Sequence, residues 1–108
     1  MIKFLPTIDA PANTKIPQRS TQFSAGYDFY APTDIFVPAG GESVLIQLNI
    51  KAIMPGDMVL MLFIRSSLAV KFNREGERCA QGIFVRYCVT SDDEASAVRG
   101  GGYGSTGR

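Results

Sequence analysis

Four places in the chain carry side chains suited to work on a charged substrate. The most conspicuous is the run Arg99-Gly100-Gly101-Gly102-Tyr103-Gly104-Ser105-Thr106-Gly107-Arg108, which holds five of the eleven glycines. Bare glycine N–H groups approach an anion closely, and arginine offers phosphate a forked set of donors. Ser105 and Thr106 add hydroxyls, and Tyr103 adds a flat ring for stacking. This composition reads as a tail that closes over a phosphate-bearing ligand. The competing readings are a plain disordered terminus and an RNA-binding Arg-Gly tail. The second place is Arg65-Ser66-Ser67-Leu68-Ala69. Ser66 or Ser67 suits a helix N-cap, with one helical turn over 68–71, and free N–H groups beside Arg65 would receive an anion. Ordinary capping after a strand accounts for the same residues. The third is Asp28, a lone carboxylate within Tyr27-Asp28-Phe29-Tyr30. Aspartate runs against strand propensity, so it needs a partner or an exposed position. The fourth is Gln81, a polar residue in an apolar segment, which faces either a ligand or solvent.

Composition limits what these residues can do. The chain has 108 residues, enough for one domain, and 45% are apolar, enough for a core. Eleven basic side chains against ten acidic ones give a net charge of +1. That balance argues against broad nucleic-acid binding, so any anion site is local. Histidine is absent, which removes the usual general base and the commonest metal ligand. Hydrolysis would therefore fall to a carboxylate or to a metal-activated water. Cys79 and Cys88 lack zinc-site spacing and read as reduced core residues. No signal peptide or membrane span is visible, so the expected location is the cytoplasm, the nucleus, or a host cytoplasm for a viral chain.

The elements that must position these residues are strands. Six prolines punctuate the chain, and no window sustains helical periodicity. Strands are predicted at 2–4, 27–30, 35–37, 43–53, 58–64 and 78–89, with a surface connection over 6–23. Val44, Ile46, Leu48 and Ile50 fall on one face. The run 58–64 is continuously apolar and predicts a strand buried on both sides. Pro38-Ala39-Gly40-Gly41 and Pro55-Gly56-Asp57 are turns, and 92–96 is an acidic, solvated connector. The fold class is all-β, a sandwich or barrel such as a jelly roll, with at most one short helix.

Taken in order, Ala25-Gly26-Tyr27-Asp28-Phe29-Tyr30-Ala31, Arg65-Ser66-Ser67-Leu68-Ala69, Gly76-Glu77-Arg78-Cys79-Ala80-Gln81 and the glycine-rich tail resemble four motifs of one family. They look like the first, second, fourth and fifth motifs of the trimeric dUTP diphosphatases (dUTPases). The resemblance implies a distorted jelly roll of the β-clip type in residues 1–98, with a flexible arm over 99–108. It implies a homotrimer with shared active sites that uses Mg²⁺ to hydrolyse dUTP to dUMP and pyrophosphate. Asp28 would then orient water around the metal. Arg65, Ser66 and Gln81 would hold the phosphate chain, with Ser67 flanking it. Arg99, Ser105 and Thr106 would clasp the γ-phosphate, Gly104 would belong to the same substrate-binding set, and Tyr103 would cover the uracil.

One departure stands out. The family's third motif, an Ile-Asp-x-Asp-Tyr-Arg-Gly hairpin carrying the catalytic base and the uracil-reading backbone, has no counterpart here. No aspartate occurs anywhere in 58–89. The resemblance therefore leaves the catalytic residue unassigned, and a nucleotide-binding or regulatory trimer without turnover stands as the alternative.

Overall fold

In the computed structural model of the chain, the residues described are 1–38, 40, 43–64 and 72–97. Among them there is no helix. Seven strands form in chain order: β1 (Lys3–Pro6), β2 (Tyr27–Tyr30), β3 (Ile35–Phe36), β4 (Ile50–Ile53), β5 (Met58–Ile64), β6 (Phe72–Asn73) and β7 (Arg78–Arg86). They pair antiparallel throughout. One three-stranded sheet runs β2-β7-β5, and two smaller ones pair β1 with β4 and β3 with β6.

Strand β7 is the axis of the molecule. It is the longest strand, the last in the chain, and the only one with a strand on each side among the described residues. Alternation sorts its side chains and those of β2 onto two faces. Tyr27, Phe29 and Phe84 turn toward Phe4 of β1. The Phe4 ring lies edge-on to Tyr27 and Phe29, each at 5.4 Å, and tilted against Phe84 at 5.3 Å. Such pairs contribute about 0.5–1.5 kcal/mol each beyond burial, so they fasten the β1-β4 ribbon onto the main sheet. The innermost residues are Phe29, Ala31, Ile35, Cys79 and Ala80. The opposite face of β2 and β7 carries Asp28 and Gln81.

The Pro55-Gly56-Asp57 turn holds its expected place, while the turn expected over 38–41 falls partly outside the described residues. Pro55-Gly56-Asp57 closes through Met58 N–H to the Pro55 carbonyl at 3.2 Å. The end of β7 is clasped to that turn by Tyr87 Oη donating to the Gly56 carbonyl at 2.6 Å and by Arg86 bonded to Asp57 at 2.6 Å. Gly76, at φ +85°, takes the left-handed conformation that sets the entry into β7. Its N–H donates to the Ala31 carbonyl at 2.9 Å, while Ala31 N–H donates to Glu77 at 2.7 Å.

Several elements differ from the sequence-based expectation. The run 58–64 is not buried on both sides: among the described residues β5 is an edge strand, with Met61, Leu62, Phe63 and Ile64 all exposed. A continuous apolar run reports what a strand prefers, and burial depends on what lies against it. Within 43–53 only Ile50–Ile53 joins a sheet of the described residues, although Ile46, Leu48 and Ile50 do share the core-facing side. The last strand ends at Arg86. Cys79 is buried as expected, but Cys88 lies beyond the strand end and is exposed. The short β6 carries no sequence signal of its own, and the Phe36–Phe72 and Ile35–Asn73 pairings create it.

Candidate functional site

The site grows from the pairing of β2 with β7, in which Asp28 stands directly opposite Gln81. Residues opposite one another in an antiparallel pair share a face, so register alone brings together two side chains 53 positions apart. The other edge of β2 is held too. Asp28 N–H donates to the Gln18 carbonyl at 2.7 Å, and Gln18 N–H donates to the Asp28 carbonyl at 3.3 Å. The backbone carrying the carboxylate is thus fixed from both sides.

Asp28 is 2% exposed. A carboxylate buried that deeply requires a compensating partner. It has one in Arg78, whose Nη1 lies 3.6 Å from Asp28 Oδ2. The expectation of a partner holds, and an exposed strand position is excluded. Gln81 is half-buried, and Gly26 explains where its side chain lies. A Cβ added at Gly26 would overlap the Cγ, Cδ and Nε2 atoms of Gln81. The side chain therefore crosses the strand in the space that the missing Cβ leaves, on the Asp28 side of the sheet. Phe63 of β5 faces Gln81 from the other flank.

This arrangement combines a fixed carboxylate, an amide with donors and acceptor, and a guanidinium that is half exposed. Such a set suits a polyanion accompanied by a hydrated cation. No group of three or more His, Cys, Asp or Glu able to hold a metal directly occurs among the described residues. Asp28 remains as a single carboxylate. Mg²⁺ keeps most of its waters and takes one or two carboxylates together with substrate phosphates, so a lone Asp28 fits that ion in a water-mediated role. The clearest concavity elsewhere, lined by Lys15, Tyr30, Asn49 and Glu75, contains neither Asp28 nor Gln81.

The sequence model of the dUTPase family matches residues 12–75, more than half the chain. The chain belongs to the dUTPase family. It is similar to the deoxyuridine 5'-triphosphate nucleotidohydrolase of Lactococcus lactis subsp. lactis (strain IL1403), with 32% identity over 137 aligned positions, covering 89% of this chain and 90% of that one. The protein of the same name from Yarrowia lipolytica is 30% identical over 132 positions, covering 88% and 83%. The crystal structure of dUTPase from Streptococcus mutans superposes with a TM-score of 0.67 at 24% identity, covering 81% of this chain and 97% of that chain. That likeness establishes the fold as all-β, of the dUTPase jelly-roll type.

Both sequence alignments are longer than the 108-residue chain. They therefore contain positions where dUTPase relatives have residues and this chain has none. Of the expected site residues, the structure brings Asp28 and Gln81 together. Arg65, Ser66, Ser67, Arg99, Tyr103, Gly104, Ser105 and Thr106 lie outside the described residues, as does the helical turn expected over 68–71. Arg78 was given no role from sequence. The available signal was the lone aspartate itself, since a buried carboxylate requires a cation.

Proposed function

We propose that this chain is a dUTP diphosphatase that hydrolyses dUTP to dUMP and pyrophosphate, with Mg²⁺ and as a homotrimer. The observation that carries this reading is the Asp28–Gln81 pair, set face to face across β2 and β7, with Gly26 leaving the room that the Gln81 side chain fills. Water attacks the α-phosphorus, a new P–O bond forms, and the bond to the β-phosphate oxygen breaks to release pyrophosphate. The metal, when bound, neutralises phosphate charge. The chain's own residues hold the substrate. Asp28 accepts hydrogen bonds from water at the phosphate end. Gln81 donates its amide N–H to a phosphate oxygen. Arg65, Ser66 and Ser67 contact the same chain of phosphates. The arm at 99–108 closes through Arg99, Gly104, Ser105 and Thr106, with Tyr103 over the base. The exposed apolar side chains of β5 supply area for contact between subunits.

One finding favours a second reading, a dUTPase scaffold that binds deoxyuridine nucleotides without turnover. The relatives carry residues this chain lacks, and no aspartate occurs in 58–89 to act as base. Pyrophosphate release from dUTP, with dCTP and dTTP as controls and with or without Mg²⁺, decides between them. Uracil-selective, Mg²⁺-dependent release establishes the enzyme. Tight binding of α,β-imido-dUTP without any release establishes the binding scaffold.

A further inference from the structure

We infer that Arg78 is the positioning residue for Asp28, set on the working face of the sheet by a β-bulge; this rests on the role proposed above for Asp28. In a regular strand, residue 79 would share the face of Gln81, and Arg78 would point to the aromatic side. The register breaks between Phe29 and Tyr30: Phe29 pairs with Ala80, but Tyr30 pairs with Arg78. Cys79 is the extra residue. Bulges re-aim side chains, and this one has two effects. Cys79 drops into the core, where it is 1% exposed. Arg78 comes opposite Tyr30, on the face that carries Asp28.

The guanidinium then reaches Asp28 through a single contact, Nη1 to Oδ2 at 3.6 Å. That contact engages one of the two carboxylate oxygens. The pair is asymmetric in burial, with Asp28 enclosed and the Arg78 side chain 47% exposed. Among the described residues, Asp28 has no other ion-pair partner. Removing Arg78 would leave a buried carboxylate uncompensated, and it would turn away from the direction the site needs. Arg78 thus acts through Asp28, and its loss should be felt where the metal is involved.

The test uses the full chain and α,β-imido-dUTP, with affinity measured with and without Mg²⁺. In the wild type, Mg²⁺ tightens binding. Arg78→Gln should reduce that Mg²⁺-dependent gain about tenfold, the order of one charge-assisted contact, with metal-free affinity within about twofold. Arg78→Lys, which keeps the charge, should restore most of the gain. In an Asp28→Asn background, Arg78→Gln should have no further effect, because the two act as one unit. An undiminished Mg²⁺ gain in Arg78→Gln, or equal losses with and without metal, overturns the inference and leaves the nucleotide reading intact. Absence of analogue binding to the wild type overturns both. Should Arg78→Gln fail to fold, the lysine variant decides: retention of the gain supports the inference, and its loss refutes it.

Discussion

Gly26→Ala offers a sharp separation of stability from recognition. The three atoms nearest a Cβ at residue 26 all belong to the Gln81 side chain. The φ of Gly26 lies outside the left-handed region, so alanine can adopt the native backbone. The substitution lowers the entropy of the unfolded chain, which favours folding by about 0.4–1 kcal/mol. Against this, displacing the Gln81 side chain, with one χ angle held about 30° off its rotamer, costs about 0.5–1.5 kcal/mol. The two nearly cancel, so stability should change by less than about 1 kcal/mol and the melting temperature by a few degrees. Recognition should respond quite differently. Gln81 would leave the Asp28 side of the sheet and lose the hydrogen bond proposed for it with a charged phosphate, a contact worth about 1.5–3 kcal/mol. Affinity for α,β-imido-dUTP should therefore fall by roughly 10- to 150-fold. Thermal melts and calorimetric titration on the same preparation read both quantities. Gln81→Ala should match the affinity loss, and the double variant should add nothing to it. A folded Gly26→Ala protein with unchanged affinity would refute the claim that Gly26 aims Gln81 at the ligand.

Other consequences can be checked alongside. Arg99→Ala combined with Ser105→Ala should weaken triphosphate binding about tenfold while leaving the melting temperature unchanged; equal affinity by titration would refute the clasp. Burial pushes the Cys79 thiol up from its ordinary value, outweighing the opposing hydrogen bond from its own backbone N–H. At pH 8, iodoacetamide should consequently label Cys88 quickly and Cys79 only on unfolding, as mass spectrometry of the digested protein would reveal. The folded state holds the Cys79 proton more tightly than the unfolded chain. Its contribution to stability is therefore full below pH 9.0 and is lost as pH rises through the folded-state value, a decline visible in urea titrations. Asp57→Ala should cost about 1 kcal/mol or less, because its bridge to Arg86 lies at the surface; a larger loss in denaturant titrations would assign the turn a greater role.

The parts of the fold legible in the sequence were those that local chemistry decides. The alternation in Tyr27-Asp28-Phe29-Tyr30 placed Asp28 opposite the aromatic side, and Pro55-Gly56-Asp57 announced its turn. The motif order reached the family, because residue identity at ordered spacings survives where pairing cannot be read. What escaped was set by partners. Nothing in the apolar run of β5 tells whether both faces are covered. Cys88 looks like Cys79 until the strand ends before it. The bulge at Cys79 has neither glycine nor proline to announce it, so the face that Arg78 takes is not written locally. The meeting of Asp28 with Gln81 is a fact of register, to which no local pattern points.

The central position of β7 also dictates when the site can exist. Both strands that flank it, β2 and β5, precede it in the chain. During synthesis, at about 5–20 residues per second, the strand bearing Asp28 waits roughly 3–10 s for Gln81 to be made. Over that interval β2 and the apolar β5 have no common neighbour, and β5 is the segment a chaperone would meet. A nascent chain stopped before residue 78 would carry the carboxylate without its amide, its guanidinium or the strand that joins them. The candidate site is thus a product of the last of the described strands to appear, and its assembly reports completion of the sheet.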